Sequence, residues 1–83
     1  MKLTEELFLI NKQRNRLKRF RKYENIAYKN NNYMEIDFGY IFSTSTKPVW
    51  KGTRIESVED GLKEYEDMLQ KGWKETNLYK KNY

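Results

Sequence analysis

Between residues 4 and 22 the apolar side chains recur at the spacing of a helix. Placed at about 100° per residue they form one stripe, and Thr4 is positioned to cap the first turn. The members of the stripe are Leu3, Leu7, Ile10, Leu17 and, at its edge, Phe20. Lysine and arginine crowd the last turns, where the helix dipole favours cations. The pattern therefore predicts a basic N-terminal helix over residues 4–22.

The pattern changes to alternation over residues 33–42. Apolar and polar side chains there point to opposite sides, as in an antiparallel strand with one buried and one solvated face. The apolar side holds Met34, Ile36, Phe38, Tyr40 and Phe42, and the polar side holds Glu35, Asp37 and Ser43. Residues 25–29 predict a partner strand, joined through a turn at Asn30–Asn32. Gly39, on the polar side, indicates a bulge or a close approach.

The segment that follows is less regular. Pro48 excludes a central-strand position, because proline has no N–H to donate to a neighbouring strand. Residues 49–55 predict either a third strand or a short hairpin about Lys51 and Gly52.

Residues 58–71 carry the clearest helix pattern. Ser57 suits the N-cap, acidic residues occupy the first turn, and Gly72 is the expected stop. The buried stripe comprises Val58, Leu62, Tyr65, Met68 and Leu69. Trp73 is expected to fold back on the last turn, and the tail over residues 73–83 is polar and aromatic.

These elements predict an α+β fold in the order α-β-β-β-α, as a single domain over residues 1–83. The helices at 4–22 and 58–71 would pack on one face of a small antiparallel sheet of two to three strands within residues 25–55. We expect one core that buries Met34, Ile36, Phe38, Leu62, Tyr65 and Leu69 together.

The chain of 83 residues contains neither cysteine nor histidine. Their absence excludes disulfides, zinc sites built from thiolates or imidazoles, and catalytic triads that need a histidine base. A cysteine-free domain of this size favours the cytoplasm. The sequence has no apolar run long enough to span a membrane, and its opening residues lack the pattern of a signal peptide. We therefore expect no cofactor and no membrane partner.

Glu35 and Asp37 are spaced to lie on one strand face and jointly hold Mg²⁺, but such a pair is more often ordinary surface. No lysine motif of a nuclease follows them. Ribonuclease toxins can work with lysine, arginine and tyrosine alone, so Arg16, Arg19 and Tyr23 stay candidates for such a role. With no motif behind any of these residues, we expect no metal site and no enzyme.

The net charge of +5 is unevenly distributed. Residues 1–32 hold nine lysines and arginines against three glutamates, whereas residues 51–72 hold four basic and six acidic residues. Such asymmetry favours an anionic partner on one side of the molecule, although an ordinary solvated helix face gives the same pattern.

The basic segment suggests nucleic-acid binding. On the predicted helix the candidate residues Lys12, Arg16, Arg19 and Tyr23 share one face, where the cations would neutralise phosphates. Tyr23, Tyr28 and Tyr33 would stack on bases. The predicted order of elements resembles the double-stranded-RNA-binding domain and the small toxins that share its architecture, which implies DNA or RNA as the partner.

The second helix suggests a protein partner instead. The chain is short, rich in Lys, Asn and Tyr and free of cysteine, and it resembles the small accessory proteins of phages and mobile elements. Its layout, with the segment EDGLKEYEDMLQKGW as an acidic helix, is similar to that of some anti-CRISPR inhibitors. That resemblance implies a host protein or ribonucleoprotein as partner. The acidic face that would stand in for DNA phosphates comprises Glu59, Glu64, Glu66 and Asp67.

A third possibility is self-association, because tyrosine and tryptophan are enriched at interfaces and sheet edges can pair. We rank inhibition or accessory binding of a protein in a nucleic-acid-handling defence machine first, and direct nucleic-acid binding second.

Overall fold

The computed structural model describes residues 6–23, 32–42 and 47–79. Within these ranges the chain forms one five-stranded antiparallel sheet and one helix. The elements in chain order are β1 (Leu7–Ile10), β2 (Arg16–Lys22), β3 (Tyr33–Tyr40), β4 (Val49–Ser57), α1 (Val58–Gln70) and β5 (Lys74–Thr76). Across the sheet the strands run β4-β3-β2-β1-β5, so α1 connects one edge strand to the other. No helix among the described residues is long and apolar enough to cross a membrane.

The predicted N-terminal helix over residues 4–22 is wrong. Its described part forms the hairpin of β1 and β2, in which Leu7 lies opposite Phe20 and Ile10 lies opposite Leu17. The side-chain oxygen of Asn11 closes the connecting turn by accepting hydrogen bonds from the backbone N–H groups of Asn15 and Arg16, each at 2.9 Å. Asparagine side chains that bond to the backbone in this way favour turns over helices.

The helical spacing gave a wrong prediction because the apolar residues of this hairpin are buried on both faces of the sheet. A short run such as Leu7–Ile10 cannot be assigned to a helix or a strand by periodicity alone. Leu9 and Phe20 are buried on the side that α1 covers, which we call the helix side. Phe8 and Leu17 are buried on the opposite side, which we call the far side. A strand buried on both faces loses its alternation.

The order α-β-β-β-α and the sheet of two to three strands are therefore also wrong; the observed order is β-β-β-β-α-β. The strand predicted over residues 33–42 is confirmed as β3, and the strand alternative for 49–55 is confirmed as part of β4. Gly39 marks a register shift against β4, and a Cβ atom there would lie 2.6 Å from the carbonyl oxygen of Val49. The strand at 25–29 and most of its turn fall outside the described residues, as do Leu3 and Thr4.

The helix predicted over residues 58–71 is confirmed. The side chain of Ser57 accepts a hydrogen bond from the backbone N–H of Asp60 at 3.1 Å, which caps the first turn. Gly72 ends the helix with a φ of +101°, in the left-handed region that favours glycine. Trp73 then folds back on the helix, and its backbone N–H donates a hydrogen bond to the backbone carbonyl of Met68 at 3.0 Å. The tail adds a short edge strand, β5, that the sequence pattern did not predict.

The core lies mainly between α1 and the helix side of the sheet. The ring of Tyr65 meets that of Phe20 edge to face, with the ring centres 5.3 Å apart. The buried members of this cluster are Leu9, Phe20, Met34, Ile36, Tyr65 and Met68. Of the six residues that we expected to be buried together, Met34, Ile36 and Tyr65 are buried, Leu62 and Leu69 are half-buried, and Phe38 is exposed. A smaller cluster on the far side packs Trp50 and Tyr79 against Phe8, Ile10 and Leu17.

Candidate functional site

The helix side of β3 is only half covered. Met34 and Ile36 are buried beneath α1, and Gly61 packs so closely on Met34 that a Cβ atom there would lie 1.9 Å from the methionine sulfur. Phe38 and Tyr40 continue the same face of the same strand, yet they are 41% and 38% exposed. The apolar face of β3 is therefore longer than the surface that one helix covers.

The ring of Phe38 lies over β4. Gly52 is directly opposite Phe38 in the sheet, and a Cβ atom on Gly52 would lie 2.6 Å from the tip of the phenyl ring. Any larger residue at position 52 would displace the ring. Glycine inside a strand often marks such a close approach. The Phe38 ring thus packs directly on the backbone of Gly52, while much of the ring remains exposed to solvent.

The neighbouring ring, that of Tyr40, carries a cation. Arg16 is the direct partner of Tyr40 across β2 and β3, and its guanidinium carbon lies 5.8 Å from the centre of the tyrosine ring. This distance is within the range of a cation–π interaction. Val49 flanks Tyr40 on β4 and is also exposed. We call the surface formed by Arg16, Phe38, Tyr40 and Val49 the aromatic platform.

An ion-pair cluster separates the aromatic platform from the helix. Glu64 of α1 reaches down to the sheet, where its carboxylate binds Lys18 of β2 at 3.2 Å and also pairs with Arg54 of β4. Lys18 lies directly opposite Phe38. The cluster therefore joins α1 to β2 and β4 beside the platform.

The turn between β1 and β2 borders the other end of the platform. It carries Lys12 and Arg14 and leads directly into Arg16. The side chain of Lys12 lies against Gly72, at the end of α1 where the helix dipole favours a cation. Arg14 is exposed and has a φ of +59°, an unusual conformation for a residue other than glycine. Arg14 and Arg16 are thus exposed cations at this end of the platform, whereas the side chain of Lys12 is directed toward the end of α1.

The basic face predicted from helical spacing does not exist as such. Arg16 and Arg19 are three residues apart in a strand, so they point to opposite faces of the sheet. Lys12 belongs to the turn, and Tyr23 directly follows β2. Of the four residues, Arg16 alone is part of the aromatic platform.

The other two tyrosines that we expected to stack on bases are not part of the platform either. Tyr28 lies outside the described residues, and Tyr33 faces the far side of the sheet at the opposite end of β3.

Arg19 belongs to a charged network on the far side. Asp37 of β3 stands between Arg19 of β2 and Thr53 of β4, its direct partners in the sheet. The carboxylate of Asp37 accepts hydrogen bonds from Arg19 Nε at 2.7 Å and from Thr53 Oγ1 at 2.5 Å. The Arg19 guanidinium also stacks on Trp50, 4.4 Å from the ring centre.

Arg21 completes this network. Its Nε donates to Asp37 at 2.8 Å and its Nη2 binds Glu35 at 2.6 Å. Burial by itself would raise the pKa of Asp37, but the hydrogen bonds from Thr53, Arg19 and Arg21 outweigh it and hold the pKa below its usual value. Burial would lower the pKa of Arg21, and its bonds with Asp37 raise it instead.

The expectation that Asp37 lies on a solvated face is therefore wrong, because its side chain is buried among these partners. Both Asp37 and Glu35 bind arginine. Among the described residues, no group of three or more acidic, cysteine or histidine side chains is placed to hold a metal ion.

The predicted acidic surface of α1 is divided. Glu59, Glu66 and Asp67 are exposed on the helix, whereas Glu64 is half-buried and forms ion pairs with Lys18 and Arg54. Three of the four acids thus form a solvated surface.

A comparison with protein-family models matches most of the chain to one family. Residues 7–78 match the model described as protein of unknown function (DUF1651). The chain belongs to the DUF1651 family. No curated protein matches it, and no solved structure does. The match runs from β1 to just beyond β5, so the DUF1651 region includes every strand and the helix described above.

Sequence reasoning did not predict the exposure of Phe38 and Tyr40 in this DUF1651 protein, because alternation assigned both rings to the core. A usable signal was present in the length of the alternation, which runs through five apolar residues from Met34 to Phe42. The glycine at position 52 was a second signal, but it is informative only once β4 is paired with β3.

Proposed function

We propose that this protein binds single-stranded nucleic acid through the aromatic platform. The observation that carries the proposal is that Phe38 and Tyr40 lie side by side on one strand, both exposed, with the guanidinium of Arg16 over Tyr40. Exposed aromatic rings next to cations are the elements with which sheets bind unpaired bases.

Each part of the platform matches one part of the ligand. A flat ring offers a stacking surface to a base, and every base has such a surface, so binding of this kind tolerates many sequences. Arg16 supplies a positive charge for a phosphate, and the turn with Lys12 and Arg14 continues that charge beyond the platform. The bases of a duplex are already stacked on one another, and the proposal therefore specifies an unpaired strand.

The test is the affinity for fluorescently labelled strands of about 12 nucleotides, a length within the usual range of single-strand sites. We expect unpaired RNA or DNA to bind more tightly than duplex of the same length in fluorescence anisotropy. Phe38→Ala and Tyr40→Ala should each weaken binding by about 1–3 kcal/mol, which is about 5- to 150-fold. Arg16→Ala should reduce the slope of log affinity against log salt by about 0.7, the value for one lost phosphate on a single strand.

Tyr33→Ala is the matched control. Tyr33 lies on the same strand and is 41% exposed, as Phe38 is, but it faces the far side of the sheet. Its removal should leave the affinity unchanged. All four variants should keep the circular dichroism spectrum of the parent. The proposal is wrong if the parent binds neither strand at low salt, or if Phe38→Ala and Tyr40→Ala bind as well as Tyr33→Ala does.

A second candidate is supported by the outer surface of α1. There we propose an inhibitor or accessory factor of the phage type, which meets a basic groove of a defence protein with Glu59, Glu66 and Asp67. The support is that all three acids are exposed, whereas Glu64 is bound to the sheet. Glu66→Lys combined with Asp67→Lys should then abolish capture of the protein partner, because like charges would face each other. Phe38→Ala should leave that capture intact, which distinguishes the two candidates.

A further inference from the structure

The outer edge of the sheet at β4 is a regular strand. Among the described residues, β4 has a hydrogen-bonded neighbour on one side, β3, and forms the end of the sheet on the other. The register shift at Phe38 and Gly39 disturbs its first half, whereas residues 53–57 pair with β3 without interruption. An exposed edge presents a row of N–H and C=O groups that another strand can join.

The side chains of this segment are self-complementary in one register. Successive residues of a strand direct their backbone N–H and C=O groups to alternate sides. In an antiparallel pair of identical strands, odd-numbered residues must therefore face odd-numbered residues, and even-numbered residues must face even-numbered ones. A two-fold axis through Ile55 meets that condition and sets Arg54 opposite Glu56 of the other copy. An axis through Arg54 or through Glu56 would instead set two like charges opposite each other, which is unfavourable.

Ile55 supports the same register. It is 44% exposed on the far side of the sheet, next to Glu35, which itself pairs with Arg21. With the axis at Ile55, the two isoleucines face each other and cover this apolar surface. The Arg54 and Glu56 side chains lie on the helix side, where they pair with each other at 2.7 Å in the single chain and can exchange partners between two chains.

We infer that a second copy of this chain pairs with β4 over residues 53–57, in antiparallel register about Ile55. The helix does not obstruct this pairing, because α1 leaves β4 after Ser57 and runs inward, with Gly61 over Met34 and Tyr65 against Phe20. The two five-stranded sheets join edge to edge, and both aromatic platforms lie on the same face of the joined sheet. The inference is independent of the proposed function, since it uses none of the platform residues.

Cross-linking tests the register directly, because the chain contains no cysteine of its own. Residues directly opposite in an antiparallel pair have Cβ atoms about 4.5–5.5 Å apart, close to the distance that a disulfide spans. Ile55→Cys should therefore form a covalent dimer under mild oxidation. The control is Lys51→Cys, an exposed position of the same strand whose two copies would lie about 26 Å apart along the strands. We expect at least about a tenfold excess of dimer for Ile55→Cys.

Charge exchange gives a test without cross-linking. In sedimentation at about 1 mM chain, a concentration that populates weak interfaces, the average mass should rise from 10.2 kDa toward twice that value. Arg54→Glu and Glu56→Arg should each return it to the monomer, and the double variant should restore the dimer, although it also loses the pair with Glu64. A monomeric parent at this concentration, or equal cross-linking at positions 51 and 55, would overturn the inference.

Discussion

The buried carboxylate of Asp37 accepts a hydrogen bond from Nε of Arg19 at 2.7 Å, between directly opposite residues of β3 and β2. The side chain of Asp37 is 2% exposed and that of Arg19 is 18% exposed, so the pair is largely shielded from solvent. Thr53 and Arg21 bind the same carboxylate, which ties three adjacent strands together through one residue. Removing that carboxylate would leave the side chains of Arg19 and Arg21 next to each other on the far side of the sheet without the negative charge that they share.

Stability should therefore depend on pH in the acid range. The pKa of Asp37 is lowered in the folded protein, so its stabilising contribution is complete above the pKa of the unfolded chain, near 3.9 for aspartate. As the pH falls below that value, the unfolded chain binds a proton that the folded chain does not, and the contribution is lost as the pH approaches the lower folded pKa. Asp37→Asn should cost about 3 kcal/mol at pH 7 and reduce this acid dependence, as measured by urea unfolding at a series of pH values.

Glu35→Gln is the matched control for Asp37→Asn. Glu35 lies on the same strand and the same face, but its partner Arg21 is more than a third exposed. A pair of this kind contributes about 0–1 kcal/mol, so the control should unfold almost like the parent. Equal losses in the two variants would contradict the central role of Asp37.

A second prediction concerns Tyr65. Its hydroxyl is buried in the core and has no hydrogen-bond partner among the described residues. An unsatisfied buried polar group costs about 1–3 kcal/mol. Tyr65→Phe keeps the edge-to-face contact with Phe20 and should raise the free energy of unfolding by about 1 kcal/mol, or the Tm by about 4–8 °C. Tyr40→Phe, on the exposed platform, should change the Tm little; a lower Tm for Tyr65→Phe would show that the hydroxyl is satisfied.

A third prediction concerns Gly61. Alanine is favoured over glycine inside a helix by about 1 kcal/mol, yet a Cβ atom at this position would lie 1.9 Å from the sulfur of Met34. Because Met34 is fully buried, its side chain can move aside only by repacking against the rest of the core, so overpacking should dominate, at about 1–3 kcal/mol. Gly61→Ala should therefore lower the Tm. Introduced into a Met34→Ala background, where the sulfur is absent, the same substitution should be neutral or stabilising.

The contrast between α1 and the β1–β2 hairpin shows which elements can be predicted from the sequence pattern. Helix α1 combines a cap at Ser57, an amphipathic stripe and a stop at Gly72, so three independent signals agree. In the N-terminal hairpin, Leu17 and Phe20 are three residues apart and lie on opposite faces of the sheet, a spacing that also suits one side of a helix. Sequence spacing alone does not distinguish a strand buried on both faces from an amphipathic helix.

The site depends on tertiary structure for a different reason. Alternation correctly places Phe38 and Tyr40 on the same face as Ile36, but it does not say where the covering helix ends. That limit lies at Glu64, which pairs with Lys18 and Arg54 beside the two rings. The boundary between the covered and the exposed half of β3 is therefore marked by a contact between residues 46 positions apart in the chain.

The last prediction separates stability from binding at Arg14. This residue has a φ of +59° in the turn between β1 and β2, which costs a residue with a Cβ atom about 1–2 kcal/mol. Arg14→Gly removes that strain and should raise the free energy of unfolding by about 1 kcal/mol, measured in urea. Arg14→Lys keeps both the strain and the charge, so its stability should equal that of the parent.

If the cation contacts the phosphate of a strand on the platform, Arg14→Gly should also bind more weakly, with a salt slope smaller by about 0.7. Arg14→Lys should retain the slope. Retention of a strained cation in the turn would then be a cost in stability that binding offsets. A stabilised Arg14→Gly with unchanged affinity would place Arg14 outside the binding surface, and a destabilised one would show that the arginine side chain supports the turn.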